Sequence, residues 1–489
     1  MMREACGVYA VSDSTGGAVF PNIYWGLLAQ NHRGHHSYGF LTYKNGLHVH
    51  KDLGLIPPVN EPDFSKWEVR LPGSRGLGHV RYATSGLSDT ESLIRDMQPL
   101  TEKLGDDSLS LAFNGNIVNV HALSTRYASP LDLQKGSDTV LVARSLLTTL
   151  QQEGDLVSAV RHCMTEVEGA FSIAGMTKEG DIFAFRDPYG LRPLCAGVDD
   201  SVTGISSESV GLDINGIGNY SEVKPGELLT VDGEGSQKTQ VCQCSRRAFC
   251  AFEYAYFARP DSMLDSRYVY LVRNDFGANL GDRYSEISRR LDVVLSIPET
   301  ADDAAYGFHQ ETGVPWDRAL RRHRYVTQRA FISKQEERAS IIARKVNMLQ
   351  NRVSGKKVGV VDDSIVRGDT TRTNVKRLRA AGASEVHLFI TFPRITGPCF
   401  YGVDMATYGE LIGARLEAEA IARELGADSV NYQPLDAFVR ACGVPREDLC
   451  LGCITGDYPT PLARRMASDM KARFDRGENE SGRIYEVLK

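Results

Sequence analysis

The chain contains the segment Val358-Gly-Val-Val-Asp-Asp-Ser-Ile-Val-Arg-Gly-Asp-Thr-Thr-Arg372. Its apolar start predicts a buried strand that ends in two adjacent carboxylates, Asp362 and Asp363, and a helical pattern follows. A helix that begins directly after such a turn presents backbone N–H groups, which bind phosphate. Carboxylates accept hydrogen bonds from sugar hydroxyls or hold Mg²⁺. The segment therefore predicts a loop that binds ribose, metal and phosphate. The simpler alternative is a structural turn with an acidic end.

Composition and charge limit the classes of protein to which the chain can belong. Its 489 residues are too many for one ordinary hydrophobic core, so we expect two or three domains. An apolar content of 42% and a charged content of 24% are typical of globular proteins. The net charge of −6 argues against a nucleic-acid surface. No apolar run is long enough to span a bilayer and the first residues lack a secretory pattern, so we expect a cytoplasmic enzyme.

The pattern of apolar residues divides the chain into two parts. Up to about residue 235, short apolar alternations and glycine turns predict an α+β unit with much antiparallel sheet. The polar stretch at 231–240 is a candidate boundary. From about residue 290, strand-length apolar runs alternate with helical patterns, which predicts a parallel sheet with crossover helices. A capping pattern at Ser333 and Glu336 also predicts a helix that reaches Leu349.

Residues in the N-terminal part fit the chemistry of glutamine hydrolysis. If the residues before it are removed, Cys6 carries a free α-amine with an ordinary pKa near 7.7–8, which suits it as a base for the thiol. Arg81 suits a substrate carboxylate, and Asp138 suits a substrate ammonium group. Asn114 and the N–H of Gly115 suit an oxyanion hole. Each feature also has an ordinary explanation: an inert thiol, a surface ion pair, a hairpin turn or a helix N-cap.

Several motifs of the N-terminal part resemble the glutaminase of class II amidotransferases. They are Cys6-Gly-Val-Tyr-Ala10, Asn31-His-Arg-Gly34, His79-Val-Arg-Tyr-Ala-Thr-Ser-Gly86, Phe113-Asn-Gly-Asn116, Ser137-Asp-Thr139 and Arg186-Asp-Pro-Tyr-Gly-Leu-Arg-Pro193. The segment 360–372 resembles the diphosphate loop of type I phosphoribosyltransferases. Both occur in this order in the glutamine phosphoribosylpyrophosphate amidotransferase family, whose joining segment is similar to residues 250–262 here.

This resemblance implies a fold and a reaction. The fold is an N-terminal-nucleophile glutaminase, an αββα sandwich, followed by an α/β phosphoribosyltransferase domain. The implied divisions are a propeptide at 1–5, a glutaminase at 6–235, a phosphoribosyltransferase at 250–425 and a C-terminal segment at 426–489. Glutamine, 5-phosphoribosyl 1-diphosphate and water become 5-phosphoribosylamine, glutamate and diphosphate, the first committed step of purine biosynthesis, with ammonia passing through an internal channel. A homodimer or homotetramer and feedback inhibition by purine nucleotides are also implied.

The resemblance also assigns roles to individual residues. Cys6 is the nucleophile, while Asn114 and Gly115 form the oxyanion hole and Arg81 and Asp138 bind glutamine. One Mg²⁺ per subunit is held by Thr300, Asp362 and Asp363. The residues that bind the phosphoribosyl donor are Asp362, Asp363, Gly368, Thr370 and Thr371.

The ten cysteines include the pair Cys450-Leu-Gly-Cys453. Its spacing suits a zinc site and an iron–sulfur site equally, and spacing alone does not select Cys250 over Cys242 or Cys244 as a further ligand. The resemblance implies a [4Fe–4S] cluster held by Cys250, Cys399, Cys450 and Cys453, which attaches the C-terminal segment to the domain junction. We expect three other cysteines to be inert core residues: Cys163, Cys195 and Cys442.

Some positions depart from the usual family pattern. The glutamine of an H-R-G-Q motif is replaced by His35, and a serine among the metal ligands by Thr300. The flap that covers the diphosphate, residues 322–332, is longer and lacks its glycine, which leaves open a related protein with two uncoupled activities. A glutaminase with another acceptor is disfavoured by the donor loop. A non-catalytic sensor of the donor is disfavoured by the complete glutaminase set.

Overall fold

The structure is a computed structural model of the chain. It describes residues 6–58, 60–82, 90–127, 137–233, 235–243, 246–323, 346–478 and 480. No helix in these ranges is long and apolar enough to cross a membrane.

The strands of the N-terminal part form two sheets. They are β1 (Gly7–Asp13), β2 (Ser37–Tyr43), β3 (Leu47–Leu53), β4 (Arg75–Arg81), β5 (Leu100–Leu104), β6 (Asp107–Ile117), β7 (Gly169–Thr177), β8 (Ile182–Arg186), β9 (Cys195–Asp199), β10 (Val202–Ser206), β11 (Tyr220–Glu222), β12 (Glu227–Val231) and β13 (Ser236–Gln240). The helices of this part are α1 (Phe20–Ala29), α2 (Glu61–Arg70), α3 (Thr90–Arg95), α4 (Val120–Tyr127), α5 (Asp138–Glu153), α6 (Leu156–Glu166) and α7 (Val210–Asp213).

The two sheets pack face to face between layers of helices. One sheet has the antiparallel order β11-β9-β10-β1-β4-β2-β3 and the other the antiparallel order β13-β12-β8-β7-β6-β5. The alternation of β1 explains the layering: Val8 and Ala10 lie in the core between the sheets, whereas Tyr9 and Val11 pack against α1. Helices α5 and α6 cover the opposite sheet. The predicted αββα sandwich is therefore confirmed.

The C-terminal part is built around a smaller sheet. Its strands are β14 (Phe249–Cys250), β15 (Met263–Leu264), β16 (Arg267–Tyr268), β17 (Val293–Ser296), β18 (Leu320–Arg322), β19 (Val346–Met348), β20 (Lys357–Asp362), β21 (Glu385–Ile390), β22 (Ser429–Tyr432) and β23 (Leu449–Cys450). Its α-helices are α8 (Val269–Arg283), α9 (Ser285–Ser288), α10 (Asp302–Thr312), α11 (Asp369–Ala380), α12 (Ile412–Arg415), α13 (Ala418–Leu425), α14 (Leu435–Cys442), α15 (Gly452–Thr455) and α16 (Pro461–Asp475). A π-helix spans Glu253–Phe257, and 3₁₀ helices span Gln350–Arg352 and Arg446–Asp448.

The main sheet of this part is parallel, as predicted. Its order is β17-β20-β21-β22, with α11 and α13 on one face and α8 and α10 on the other. Strand β20 is buried on both faces, since Val358 and Val360 contribute to one core and Val361 to the other. Parallel strands bring their carboxyl ends to one edge. The loops after β17 and β20 therefore lie side by side.

Two predictions at the level of elements are wrong in detail. The polar stretch at 231–240 is not a domain boundary. Its residues 236–240 form β13, which pairs with β12, so the second sheet extends to Gln240. The helix predicted to reach Leu349 does not do so. Residues 346–348 form β19, which pairs with β18. The earlier part of that predicted helix lies outside the described residues.

The two parts share one hydrophobic core. It contains Leu191 from the N-terminal part, Phe252 from the joining segment, Phe392 from the parallel sheet and Leu451 from the C-terminal segment. Strands β14 and β23 add a parallel pairing between the joining and C-terminal segments. The junction is thus packed like a protein interior, which restricts relative motion of the parts.

Candidate active sites

Cys6 lies at the start of β1, where the pairing of β1 with β4 brings it beside Arg81 and Tyr82. The Tyr82 N–H donates a hydrogen bond to Cys6 Sγ at 3.4 Å. Burial raises the pKa of the thiol, and the charge of Arg81 lowers it. A buried thiol of raised pKa is a weak nucleophile until a base removes its proton, so this position needs an adjacent base to react.

Arg81 and Asp138 are charged side chains that act on this thiol. Arg81 Nη2 donates to Asp96 Oδ2 at 3.4 Å, while Nη1 is buried and has no hydrogen-bond partner among the described residues. Asp138 is the first residue of α5. Burial raises the pKa of its carboxyl to about 6, although Arg81 lowers it. A ligand with a carboxylate and an ammonium group would complement both side chains.

Asn114 and Gly115 lie on β6, in the second sheet. The Asn114 side chain is 1% exposed, and both of its amide atoms lack a partner in the described ranges. A buried amide without hydrogen bonds is costly, which points to a ligand at this place. A Cβ at position 115 would come within 2.0 Å of the Ala170 carbonyl oxygen, so only glycine fits there.

Two buried side chains hold β6 in place. Burial lowers the pKa of His79 to about 3, so its ring is neutral, and Nε2 lies 2.9 Å from the Phe113 carbonyl oxygen. The Phe113 N–H donates to Gln98 Oε1 at 2.7 Å. Gln98 Nε2 in turn donates to Thr139 Oγ1 at 3.1 Å. Gln98 thereby links Phe113, the neighbour of Asn114, to Thr139, the neighbour of Asp138.

The second site lies at the carboxyl edge of the parallel sheet. Asp362 ends β20 and Asp363 follows, and both are buried. Thr300, from the loop after β17, donates to Asp363 Oδ2 at 2.6 Å. Burial raises the pKa of Asp362, and the charge of Asp363 raises it further. Two adjacent buried carboxylates are costly unless a cation offsets their charge, so the pair fits a divalent cation.

The loop from this carboxylate pair leads into α11. Gly368 has a φ of +85° and is the residue before the helix, which brings Thr370 and Thr371 into its first turn. A side chain with a Cβ is strained at that φ. The first N–H groups of a helix have no partner within the helix, and here they follow the carboxylates closely in the chain, an arrangement that binds phosphate.

Four cysteines line one cavity at the domain junction. They are Cys250, Cys399, Cys450 and Cys453, and they share the cavity with Arg192, Tyr401 and Tyr458, among others. The β14–β23 pairing sets Cys250 opposite Cys450. Burial raises the pKa of Cys250 to about 12. Within the described ranges, no group of three or more His, Cys, Asp or Glu side chains is arranged to hold a single metal ion.

Comparisons with known proteins identify the family. A sequence profile of the glutamine amidotransferase domain matches residues 85–213. The amidophosphoribosyltransferase of Methanothermobacter thermautotrophicus is 35% identical over 466 residues, which are 94% of this chain and 96% of that protein. The chain belongs to the amidophosphoribosyltransferase family. It is an enzyme that forms 5-phosphoribosylamine from glutamine and 5-phosphoribosyl 1-diphosphate, the first step of purine biosynthesis.

Further amidophosphoribosyltransferases agree with this assignment. The Bacillus subtilis protein is 35% identical and covers 94% of this chain and 95% of its own. A solved structure of the glutamine phosphoribosylpyrophosphate amidotransferase from B. subtilis, complexed with ADP and GMP, matches with a TM-score of 0.81 at 34% identity. It covers 94% of this chain and 98% of that chain. The predicted family, fold class and reaction are therefore confirmed.

Sequence analysis did not identify a buried charge network in this amidophosphoribosyltransferase. Glu208 and Glu253 bind Arg33, and Glu253 also binds Arg192. All four side chains are at most 1% exposed. One signal was available: Glu253 is the lone acid in an aromatic run, which predicts a buried carboxylate with a partner. Gln98 had no comparable signal.

Some predicted features lie outside the described residues. They are the propeptide at 1–5, the end of the His79 motif at 83–86, Cys244 and most of the flap at 324–332. The flap's first residue, Arg322, ends β18 and pairs with Glu299 at 2.9 Å. Of the other cysteines, Cys163, Cys195 and Cys442 lie in hydrophobic cores.

Proposed function

We propose that the chain performs the family's reaction with Cys6 as the nucleophile of the glutaminase site and residues 362–371 as the site of the phosphoribosyl donor. One observation carries the proposal. Arg81 Nη1, beside the buried thiol, and the Asn114 amide, on the strand that His79 links to β4, are both buried without partners in the described part of the chain. Buried polar groups rarely lack hydrogen-bond partners except where a ligand binds. Their types match the carboxylate and the reacting carbonyl oxygen of glutamine.

The glutaminase step uses side chains of this chain. Once residues 1–5 are removed, the α-amine of Cys6 takes the proton of its thiol, and Sγ attacks the amide carbon of glutamine. Arg81 and Asp138 hold the carboxylate and ammonium groups of the substrate. Asn114 Nδ2 and the Gly115 N–H donate to the oxyanion that develops on the amide oxygen. Ammonia leaves, and water releases glutamate from the thioester.

In the donor site, we propose that Thr300, Asp362 and Asp363 hold one Mg²⁺. These residues would hold the ion, whose charge would offset the negative charge that develops on the leaving diphosphate. The direct hydrogen bond between Thr300 and Asp363 supports this set, since it brings the threonine hydroxyl to the carboxylate pair. Gly368, Thr370 and Thr371 bind phosphate with the first turn of α11. Ammonia then attacks C1 of the ribose, and diphosphate departs.

We also propose a [4Fe–4S] cluster at the cysteine cavity. The four thiols line one cavity, where Cys250, Cys399 and Cys450 all act on the pKa of Cys453. Sets of four cysteine thiolates hold [4Fe–4S] clusters, and the resemblance of these four positions to the family's cluster ligands favours a cluster over a zinc ion. The bound cluster would supply a covalent attachment between the segments that carry Cys250, Cys399, Cys450 and Cys453. Its proposed role is structural.

Two further proposals concern regulation and assembly. We propose that purine nucleotides inhibit this enzyme, a proposal supported by the related B. subtilis structure, which is complexed with ADP and GMP. We also propose a homodimer or homotetramer. Inhibition by added AMP and GMP, and the mass measured by light scattering, would test these two points separately.

The division of labour can be tested in one assay. Glutamate and diphosphate release are measured with glutamine, Mg²⁺ and 5-phosphoribosyl 1-diphosphate, each omitted in turn. In Cys6→Ala we expect glutamate release to be lost and diphosphate release to be recovered by ammonium chloride. Cys163→Ala, at a thiol on the buried face of α6, is the matched control and should keep both activities. Glutamate release that persists in Cys6→Ala would refute the proposed nucleophile.

A further inference from the structure

The π-helix Glu253–Phe257 lies in the core that joins the two parts of the molecule. π-helices are rare and occur often at functional sites. This one lies between the glutaminase sandwich and the parallel sheet. The ring of Phe252, which precedes it, packs 4.5 Å from that of Phe392, just after β21.

At its start, the π-helix is bound by arginines from the glutaminase part. The Glu253 carboxylate accepts hydrogen bonds from both terminal nitrogens of Arg33, at 2.9 and 3.0 Å, and from Arg192 Nη1 at 3.1 Å. The remaining donor of Arg33, Nε, donates to the carbonyl oxygen of Cys6 at 3.0 Å. One guanidinium group thus joins the π-helix to the backbone of the proposed nucleophile.

At its end, the π-helix is bound by an arginine from the donor part. Arg273, on α8, donates through Nε to the Tyr254 carbonyl at 2.9 Å and through Nη2 to the Ala258 carbonyl at 2.7 Å. Its side chain is buried, and its charge acts on Asp303 and Asp363. The same short helix therefore binds one arginine that donates to the Cys6 carbonyl and another whose charge acts on Asp363.

We propose that Glu253 and Arg273 are positioning residues for the two sites, and that the π-helix between them is the shared support. Glu253 orients Arg33, and through it the carbonyl of Cys6. Arg273 binds the π-helix to α8, and its positive charge acts on Asp363 of the donor loop. The inference rests on the proposed function, because it requires Cys6 to be the nucleophile.

The geometry explains why orientation matters here. A carboxylate that binds both terminal nitrogens fixes the plane of a guanidinium group, and therefore the direction of its Nε–H. The amine, the thiol and this carbonyl all belong to Cys6, so a rotated carbonyl moves the other two groups. A misplacement of about 1 Å at a reacting atom can reduce a rate about a hundredfold.

The first test replaces Glu253. In Glu253→Gln we expect kcat with glutamine to fall about 10- to 100-fold, with KM for glutamine changed less than about threefold. The reaction with ammonium chloride bypasses Cys6 and should stay within about threefold of wild type. Alkylation of Cys6 by iodoacetamide should slow in parallel. Glu253→Asp, which keeps the charge, should recover part of the glutamine-dependent rate and provides the same comparison if Glu253→Gln does not fold.

A matched control lies in the same junction. Glu222 binds Arg186 and Arg247 but contacts neither site in the described ranges. Glu222→Gln should leave the ratio of glutamine-dependent to ammonia-dependent activity unchanged. Iron content is measured for every variant, since Cys250 is near Glu253.

The second test replaces Arg273 by lysine. Lysine keeps the positive charge but has one nitrogen in place of the two that donate to the Tyr254 and Ala258 carbonyls. We expect diphosphate release to fall with glutamine and with ammonium chloride alike, mainly through a higher KM for 5-phosphoribosyl 1-diphosphate. Glutamate release without the donor should remain. Two results in variants of normal melting temperature would overturn the inference. One is an equal loss of all activities. The other is no change in the ratio of glutamine-dependent to ammonia-dependent activity or in the ratio of diphosphate to glutamate release. Failure of the proposed function is separate, because it appears as persistent glutamate release in Cys6→Ala.

Discussion

At the scale of single residues, Asp138 links the glutaminase site to pH. Burial raises its pKa to about 6, and Arg81 opposes that rise. Since only the ionised carboxylate attracts the ammonium group of glutamine, protonation weakens binding. Protonation of the Cys6 amine, with an ordinary pKa near 7.7–8, already lowers kcat/KM for glutamine as the pH falls. Below pH 6 we expect a further fall of about tenfold for each pH unit, measured as glutamate release between pH 5 and 8. Asp138→Asn should have a low kcat/KM whose slope does not steepen below pH 6, and a wild-type slope that does not steepen there would contradict the assignment.

The same carboxylate affects the stability of the substrate-free protein. Its pKa is higher in the folded protein than the ordinary value of 3.8, so the folded state binds the proton more tightly. Stability is therefore lost as the pH rises from about 4 through about 6. We expect Asp138→Asn to stabilise the protein at pH 7.5 by at most about 3 kcal/mol, and by about half of that at pH 5. Thermal melting at both pH values measures the effect.

The control for this stability effect is Asp199→Asn, at an exposed carboxylate that ends β9. It should not change the melting temperature at either pH, because an exposed charge loses little hydration on folding. An Asp138→Asn protein that melts below wild type at pH 7.5 would mean that the carboxylate stabilises the fold. The proposal that this carboxylate lowers the stability of the substrate-free protein and serves to bind glutamine would then be wrong.

At the scale of elements, the sequence predicts the helices, strands and turns that depend on residues close together in the chain. The strand, turn and helix around Asp362 and Asp363 follow from a short pattern of apolar residues, acids and glycine, so that segment was predictable. Strand β19 was not, because its pairing with β18 bridges residues far apart in the chain. Tertiary pairing of this kind overrides a helical pattern. The hairpin of β12 and β13 is local, but its second strand, Ser236–Gln240, is polar and mostly exposed, so no apolar alternation indicates it.

The candidate sites divide in the same way. Cys6, Arg81, Asn114 and Asp138 were identified from residue type and short motifs. Their arrangement was not, since it depends on Gln98 and on the Glu253 network, whose members lie up to 220 positions apart. No local pattern encodes such contacts, and only the packed fold brings them together.

The pairing of β14 with β23 leads to a prediction for the proposed cluster. This pairing involves only two residues of each strand, so it attaches the C-terminal segment weakly by itself. We expect removal of iron by an oxidant and a chelator to lower the melting temperature and to make α16 sensitive to trypsin at Arg464 and Arg465. The measurement is limited proteolysis read by mass spectrometry. An iron-free protein cleaved as slowly as the iron-loaded one would contradict the structural role.

Cys442→Ser is not a suitable control for that experiment, because Cys442 lies in the junction core itself. Cys195→Ala is better matched, since this thiol is buried in the glutaminase sandwich and away from the cavity. Its iron content and its cleavage pattern should equal those of wild type.

At the scale of the whole molecule, two sites with different chemistry lie on either side of one shared core. Each takes its proposed catalytic residues from its own part of the chain: Cys6, Arg81, Asn114 and Asp138 from the sandwich, and Thr300 with the carboxylate pair from the parallel sheet. The core that joins them is continuous. A substitution that abolishes the reaction at one site should therefore leave the other site folded.

Asp363→Asn tests this separation. The substitution removes one of two adjacent buried carboxylates, so donor-dependent diphosphate release should fall at least about 100-fold, because the proposed Mg²⁺ site loses a ligand. Glutamate release without the donor should stay within about threefold of wild type. The melting temperature should not fall, since burial already disfavours the charge at this position. Asp428→Asn is the matched control: Asp428 precedes β22 and lies at the opposite, amino edge of the sheet, so both activities should remain. Diphosphate release at the wild-type rate would remove Asp363 from the metal site, and loss of both activities at an unchanged melting temperature would show that the glutaminase depends on the donor loop.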